Sequence, residues 1–345
     1  MELAVAVHTV TTRVPFRIAR GESSRFPLAT VSLRDADGVV GLGEAAPSAF
    51  FGETIDTVSA ALEAARRVLA TADQWSIEAV EAALVTVCPV RAARAALSAA
   101  LHDRWGKQQG QPLWKLWGLD PTGAPPSSYT IGIAPDLQTL ARRVGAAVDA
   151  GYPILKVKLG TEDDAEILRT VRASAPQAVL RVDANAGWSV ARALVMLDVM
   201  ASVGVESLEQ PVAVGDVEGL HAVRAAAAIP VIADESCCVS SDIAPLVGAV
   251  DGINIKLGKC GGLLEARRMI ELARARGLRV MCGCRIESSL GIAPAAQLGA
   301  LLDDADLDGA ALLADDPFEG PTIDRGVLRV AEGPGLGVRP RDVRD

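Results

Sequence analysis

Ile154-Leu155-Lys156-Val157-Lys158-Leu159 reads as one short buried strand that carries two lysines. Alternate side chains of a strand share a face, so Lys156 and Lys158 point one way and Leu155, Val157 and Leu159 the other. Two ammonium groups on a buried face repel each other and lose hydration. Both effects lower a lysine pKa and offer a neutral amine as a base near pH 7. Such a pair needs negative charge in front of it. Asp183, Glu209 and Asp234 supply it at intervals of 26 and 25 residues, and Lys256 follows. Each closes a short apolar run, so each marks the end of a strand, one strand-plus-helix unit apart. In a parallel barrel that spacing sets the three carboxylates side by side on one rim, where they repel unless a cation sits among them. Oxygen donors without Cys or His favour Mg²⁺ over Zn²⁺. A carboxylate held on such a cation has an acidified α-carbon, because the charge left by deprotonation is neutralised. Lysines on opposite sides can then take the proton from one face and return it on the other, giving the opposite stereoisomer. Taken singly, each acid reads equally well as a surface or cap residue, and each lysine as a salt-bridge partner; five matching types at five consecutive strand ends set the pattern apart.

The elements that must hold these residues follow from periodicity. Strand-like runs at Tyr129–Ile133, Leu155–Leu159, Val179–Asp183, Glu206–Glu209, Val231–Asp234, Ile253–Lys256, Arg279–Gly283 and Asp308–Leu313 alternate with amphipathic helices such as Leu137–Ala150 and Leu263–Arg276. Alternating strands and helices in this number predict a closed parallel barrel, whose active sites lie at the C-terminal strand ends. Before it, Leu3, Val5 and Val7 share a strand face, Thr30–Leu33 and Val39–Leu42 flank a turn at Asp35–Gly38, and Arg17–Arg25 reads as a polar loop. Helical periodicity follows at Ile55–Leu69, Ser76–Val87 and Ala92–Trp105, an α+β pattern. The expected division is an α+β capping domain over residues 1–120, a barrel over 121–317, and a Gly- and Pro-rich segment over 318–345 that returns to the first domain.

Composition narrows the partners. The chain has 345 residues, half of them hydrophobic, and a net charge of −9, which argues against nucleic acid or an anionic membrane. No run approaches 18 apolar residues, and the start has neither a basic region nor a long apolar core, so a cytoplasmic protein without a signal peptide is expected. The six Cys show no zinc or redox pairing and read as reduced thiols packed as small hydrophobes. None of the three His lies beside a Ser or Cys in a triad-like setting.

Lys156-Val157-Lys158, Asp183-Ala184-Asn185, Glu209-Gln210-Pro211, Asp234-Glu235-Ser236 and Lys256-Leu257-Gly258-Lys259-Cys260-Gly261-Gly262 resemble the motifs of the enolase superfamily, muconate-lactonising subgroup. The likeness runs through Gly43-Glu44 and Phe50-Phe51-Gly52 in the first domain and Gly106-Lys107 with Gly110–Leu113 in the connecting helix. It implies a modified TIM barrel, (β/α)7β, with an N-terminal α+β cap; Mg²⁺ on Asp183, Glu209 and Asp234; Lys158 and Lys256 as opposed acid and base; and Lys156 polarising the substrate carboxylate. Asp306-Leu307-Asp308 resembles the Asp-x-Asp pair of the dipeptide epimerases, where two acids hold a free ammonium; an acidic turn is the other reading, since Asp303, Asp304, Asp315 and Asp316 lie close by. Gly283–Ser289 resembles the same enzymes, with Cys284 offering backbone groups to a peptide. Arg285 departs from the apolar residue of that pattern and has two readings, an acidic substrate side chain or Glu287. By resemblance Thr130 touches substrate. Arg20 resembles the loop residue that meets glutamate in Ala-Glu epimerases, with Arg25 as the alternative and a solvated loop cation as the plain reading. The implied protein is a homo-oligomeric isomerase acting on a small dipeptide such as L-Ala-L-Glu, in peptidoglycan peptide metabolism. Other reactions of the subgroup (cycloisomerisation, succinylbenzoate formation, N-acylamino acid racemisation), a Schiff-base aldolase and a silent binding protein are the alternatives.

Overall fold

A computed structural model describes residues 1–341; residues 342–345, the end of the expected C-terminal segment, lie outside the described residues. Strand β1 (Glu2–Ile18) turns through Ala19 and Arg20 into β2 (Gly21–Arg34), and β3 (Val40–Ala45) completes an antiparallel sheet in that order. The turn into β3 is held by Asp35, whose Oδ1 accepts the N–H groups of Asp37 and Val39 at 3.0 and 2.9 Å. One face of β2, including Val31 and Leu33, is fully buried against α1 (Ile55–Thr71), α2 (Ile77–Val87) and α3 (Arg91–Gln108). Each such apolar side chain contributes about 1.5–3 kcal/mol. Thr54 and Thr57 cap α1 reciprocally, each hydroxyl accepting the other's backbone N–H. Helix α3 is rich in alanine and buried along most of its length, which lets it lie closely between β3 and the helical turn Leu257–Cys260.

The stretch Arg17–Arg25, expected as a loop, is the tip of a long hairpin. Arg17 pairs with Glu22 and Ile18 with Gly21, beyond an irregularity between Thr11 and Phe16. Much of this ribbon stands clear of the cap's core, so the apolar alternation that marks a half-buried strand is missing although the backbone ladder is intact.

Eight parallel strands follow in consecutive order: β4 (Tyr129–Ile131), β5 (Ile154–Lys158), β6 (Val179–Asp183), β7 (Val205–Glu209), β8 (Val231–Ala233), β9 (Gly252–Ile255), β10 (Arg279–Gly283) and β11 (Asp304–Asp306). Ser127 pairs with Ala305 across the remaining seam. Helical segments join each strand to the next, so the chain is an α/β protein with a (β/α)7β barrel and an N-terminal α+β cap. The eighth strand was expected at Asp308–Leu313. It lies instead at Asp304–Asp306, and Ala310–Leu312 is a turn of 3-10 helix. The apolar run drew the assignment, whereas the true strand is acidic because Asp304 pairs with Arg181 and Arg279 at 2.7 and 3.0 Å. The last described segment pairs Phe318–Glu319 with Arg339–Pro340, and the Leu336 N–H donates to Asp103 of α3 at 2.7 Å. Among the described residues no helix is long and apolar enough to cross a membrane. All six cysteines are free thiols, five of them buried.

Candidate active site

Every residue of β5 is buried; Leu155 and Val157 join the apolar core, and the alternation of the strand turns Lys156 and Lys158 to the opposite face. Register carries the arrangement sideways, pairing Lys158 with Asp183 and Asp183 with Glu209. Asp234 directly follows β8, and Lys256 directly follows β9. Asp183, Glu209 and Asp234 each bring a carboxylate oxygen within 4.8 Å of the others, and all three are buried. Strands β5 and β9 stand four apart in a ring of eight, so Lys158 and Lys256 approach from opposite sides of the barrel.

The ammonium groups lie on the acids. Lys158 Nζ is 2.6 Å from Asp183 Oδ2, and Lys256 Nζ is 2.7 Å from Asp234 Oδ2. Lys156 Nζ, fully buried, is 2.8 Å from Glu209, 2.7 Å from Asp306 and 3.4 Å from Asp183. For Lys156 this reverses the expected lowering of its pKa. Burial does oppose the charge of Lys156, but Asp306, Glu209 and Asp183 outweigh it and push the group well above its ordinary value. Lys256 is raised in the same way, burial being outweighed chiefly by Asp234. The acids divide. Burial and the neighbouring Asp183 push Glu209 up to about 8, whereas for Asp183 and Asp234 the facing lysines overcome burial and hold the carboxyls down.

Several supporting residues carried no assigned role in the sequence. Lys259 donates to Asp234 Oδ1 at 2.8 Å and to the Asn254 carbonyl at 2.7 Å; its position one helical turn after Lys256 was the available signal. Asn254 Nδ2 donates to Glu209 at 2.9 Å. The Asn185 N–H and side-chain amide donate to Asp183 at 2.8 and 3.1 Å. Gln210 Oε1 accepts the Asp234 N–H at 2.9 Å. Asn185 and Gln210 have positive φ values of 47° and 34°, backbone strain set two residues after Asp183 and one after Glu209. Among the described residues, the Oδ1 of Asn185 and the Oε2 of Glu235 are buried without partners beside the trio. Converging oxygens with no sulfur or imidazole suit a hard divalent cation.

On the seam side, Asp306 accepts from Ser128 Oγ at 2.6 Å, and Asp308 accepts the Thr130 N–H at 2.6 Å. Burial, reinforced by Asp306, pushes Asp308 up to about 7. Cys284 lies beside this pair, its Sγ accepting the Gly309 N–H at 3.3 Å. A cavity of about 830 Å³ opens between cap and barrel; Thr130, Lys158, Lys256, Cys284, Asp306 and Asp308 line its floor. Its upper wall is largely apolar, with Phe16, Ile18, Phe26, Phe51 and Ile55. Both arginines that reach it are engaged by the protein. Arg285, which lines the cavity, pairs with Glu53 of the cap at 3.2 Å, a partner that neither expected reading named. Arg20 pairs with Glu235 at 2.8 Å, and Arg25 is exposed on the ribbon.

Residues 1–118 match the family model of the mandelate racemase / muconate lactonizing enzyme N-terminal domain, and residues 139–344 match the enolase C-terminal domain-like model. The chain is 40% identical to a hydrophobic dipeptide epimerase of Roseobacter litoralis, covering 97% of this chain and 98% of that one. It is 36% identical to an L-Ala-D/L-Glu epimerase of Bacteroides thetaiotaomicron over 98% of this chain and 88% of the other. The crystal structure of a dipeptide epimerase from Enterococcus faecalis, complexed with Mg and L-Leu-L-Tyr, superposes with a TM-score of 0.92 at 31% identity, covering 97% of this chain and 98% of that one.

Proposed function

We propose that this chain, which belongs to the mandelate racemase / muconate lactonizing enzyme family, is an isomerase that epimerises the C-terminal residue of a dipeptide. The observation that carries the reading is the buried trio Asp183, Glu209 and Asp234 between two lysines that approach from opposite strands, with a second acid pair at the seam. The trio would hold Mg²⁺, which supplies, when bound, the positive charge that offsets the electrons left on a substrate carboxylate as its α-proton departs. Lys156 stands beside the trio and orients that carboxylate. Lys158 takes the α-proton from one face and Lys256 delivers one to the other, or the reverse for the opposite enantiomer. Asp234 Oδ2, which accepts from Lys256 at 2.7 Å, would be among the oxygens available to hold the cation, and its engagement there would leave the Lys256 amine free for exchange. Asp306 and Asp308 receive the substrate's free ammonium at the other end, a requirement that cycloisomerases and succinylbenzoate synthases do not share.

The glutamate expected at the C-terminal position depended on a free arginine. With Arg20 on Glu235 and Arg285 on Glu53, the cavity offers an apolar wall instead. An apolar side chain there agrees with the hydrophobic dipeptide epimerase of Roseobacter litoralis and with L-Leu-L-Tyr in the Enterococcus faecalis complex. The test is α-proton exchange in D₂O, followed by NMR, for L-Ala-L-Leu, L-Ala-L-Phe and L-Ala-L-Glu with Mg²⁺ and with chelator. The expected result is metal-dependent exchange, at least tenfold faster for the apolar dipeptides. Metal-independent exchange, or none on any dipeptide, overturns the function; a preference for L-Ala-L-Glu overturns the side-chain assignment alone.

A further inference from the structure

We infer that Arg20 is a positioning residue: its guanidinium clasps the hairpin tip over the cavity and, through Asn185 and Glu235, fixes the two loops that carry Asp183 and Asp234. The inference rests on the proposed reading of the trio as a cation site and adds a role for a residue far from it in sequence.

The tip has a made seat. A Cβ placed on Gly160 would lie 2.5 Å from Ala19 Cβ, and one placed on Gly187 would lie 3.2 Å from it. Gly160 also has a φ of +106°, which disfavours any side chain. Ala19 thus sits in a notch between the loop after Lys158 and the loop after Asp183. The Ile133 N–H donates to the Arg17 carbonyl at 2.9 Å and ties the same tip to the end of β4.

From that seat Arg20 makes three contacts. It pairs with Glu235 Oε1 at 2.8 Å, donates to the Asn185 carbonyl, and lies 4.3 Å from the centre of the Phe50 ring in the turn Ala49–Phe51 that follows β3. Glu235 is 4% exposed, and among the described residues Arg20 is the cation paired with it. Glu235 directly follows Asp234, while Asn185 holds Asp183 through its N–H and its amide. One guanidinium therefore braces the loops of two metal-ligand candidates and closes the cap in the same contact. Without it, the buried Glu235 carboxyl next to Asp234 loses this ion pair and keeps the Asn185 amide, which donates to it at 3.3 Å. A guanidinium given over to the substrate's side chain would keep both terminal nitrogens for it, and here each of the two meets a protein oxygen, Asn185 O and Glu235 Oε1.

The test measures Mg²⁺ uptake by titration calorimetry with magnesium chloride alone, and trypsin cleavage at Arg17 and Arg25, in the native chain, Arg20→Ala and Arg20→Lys. In Arg20→Ala the magnesium dissociation constant should rise at least tenfold and cleavage of the tip should speed up at least tenfold. Arg20→Lys, which keeps the charge and loses the fork, should recover part of both, and it serves as the readout if Arg20→Ala does not fold. Activity should fall by the same factor on L-Ala-L-Leu and L-Ala-L-Glu, because a clasp is indifferent to the side chain. Unchanged magnesium affinity in both variants overturns the inference, whatever the proteolysis shows. A loss confined to L-Ala-L-Glu overturns it too, in favour of a substrate contact. Calorimetry and proteolysis need no turnover, so an absence of epimerisation in the native chain refutes the proposed function and leaves these two measurements to decide the clasp.

Discussion

Asp308→Asn preserves the shape of a buried side chain and deletes the charge that would face a substrate ammonium. Asp308 accepts the Thr130 N–H at 2.6 Å and, unlike Asp306, has no lysine as a partner; Asp306 is 2.7 Å from Lys156 Nζ. Burial and the neighbouring Asp306 push Asp308 up to about 7, so a cation that joins it near neutral pH draws the group further into its ionised form. A hydrogen bond to a charged group contributes about 1.5–3 kcal/mol. At 1.4 kcal/mol per factor of ten, its loss lowers kcat/KM for a dipeptide with a free amino terminus by about 10–100-fold. The assay compares L-Ala-L-Leu with its N-acetyl derivative, following loss of optical rotation in the native chain and in each variant. Asp308→Asn should reduce turnover of the free dipeptide by that factor and change the acetylated one by less than about threefold. Asp306→Asn should weaken both, because it also loosens Lys156. Equal losses on both substrates in Asp308→Asn would refute the assignment of the ammonium to this residue.

Three further outcomes follow from the packing and the charges. Glu44 is buried at the junction of cap and barrel, accepts the Ser288 N–H at 2.9 Å, and is pushed by burial up to about 8 from 4.5. The folded state therefore holds this proton more tightly than the unfolded chain; the stabilisation is complete below 4.5 and is lost as pH rises toward 8. Unfolding free energies from urea titration of the native chain should fall across that window by an amount on the order of a few kcal/mol, while Glu44→Gln stays flatter, and parallel curves would count against the buried carboxyl. Arg104 is fully buried 3.1 Å from Asp35; Arg104→Met leaves that carboxylate its hydrogen bonds but removes its paired cation and should cost about 3–5 kcal/mol in chemical denaturation, whereas a loss under about 1 kcal/mol would show the pair to be dispensable. Saturating Mg²⁺ at about 100 times its dissociation constant should raise stability by about 2.7 kcal/mol, and Glu209→Gln should remove most of that gain; equal gains in both proteins would place the cation elsewhere.

The barrel and the trio were legible because they rest on local patterns. Seven of the strands are apolar runs closed by a charged or small residue, and a repeat of about one strand-plus-helix unit brings Asp183, Glu209 and Asp234 to one rim. The eighth strand was misplaced because Asp304–Asp306 looks like an acidic turn until Arg181 and Arg279 are seen beside it. The hairpin tip was hidden for a related reason, since a ribbon clear of a core has no hydrophobic period to read. Long-range charge pairing was the least accessible. The sequence shows Arg20, Arg285, Glu53 and Glu235 as unconnected charges, and only the fold joins Arg20 to Glu235 across more than two hundred residues. Charge pairing of the same long-range kind reversed the expected direction of the Lys156 pKa, because the carboxylates that face it outweigh burial.

The most direct measurement of the central claim is deuterium incorporation at the substrate α-carbon by Lys158→Ala and Lys256→Ala, each assayed separately with the L,L and L,D forms of one apolar dipeptide in D₂O with Mg²⁺. Two amines on opposite faces predict that neither variant interconverts the isomers and that each retains exchange with at most one of them, a different one in each variant. Continued interconversion in either variant, or exchange of the same isomer in both, would contradict the two-lysine account.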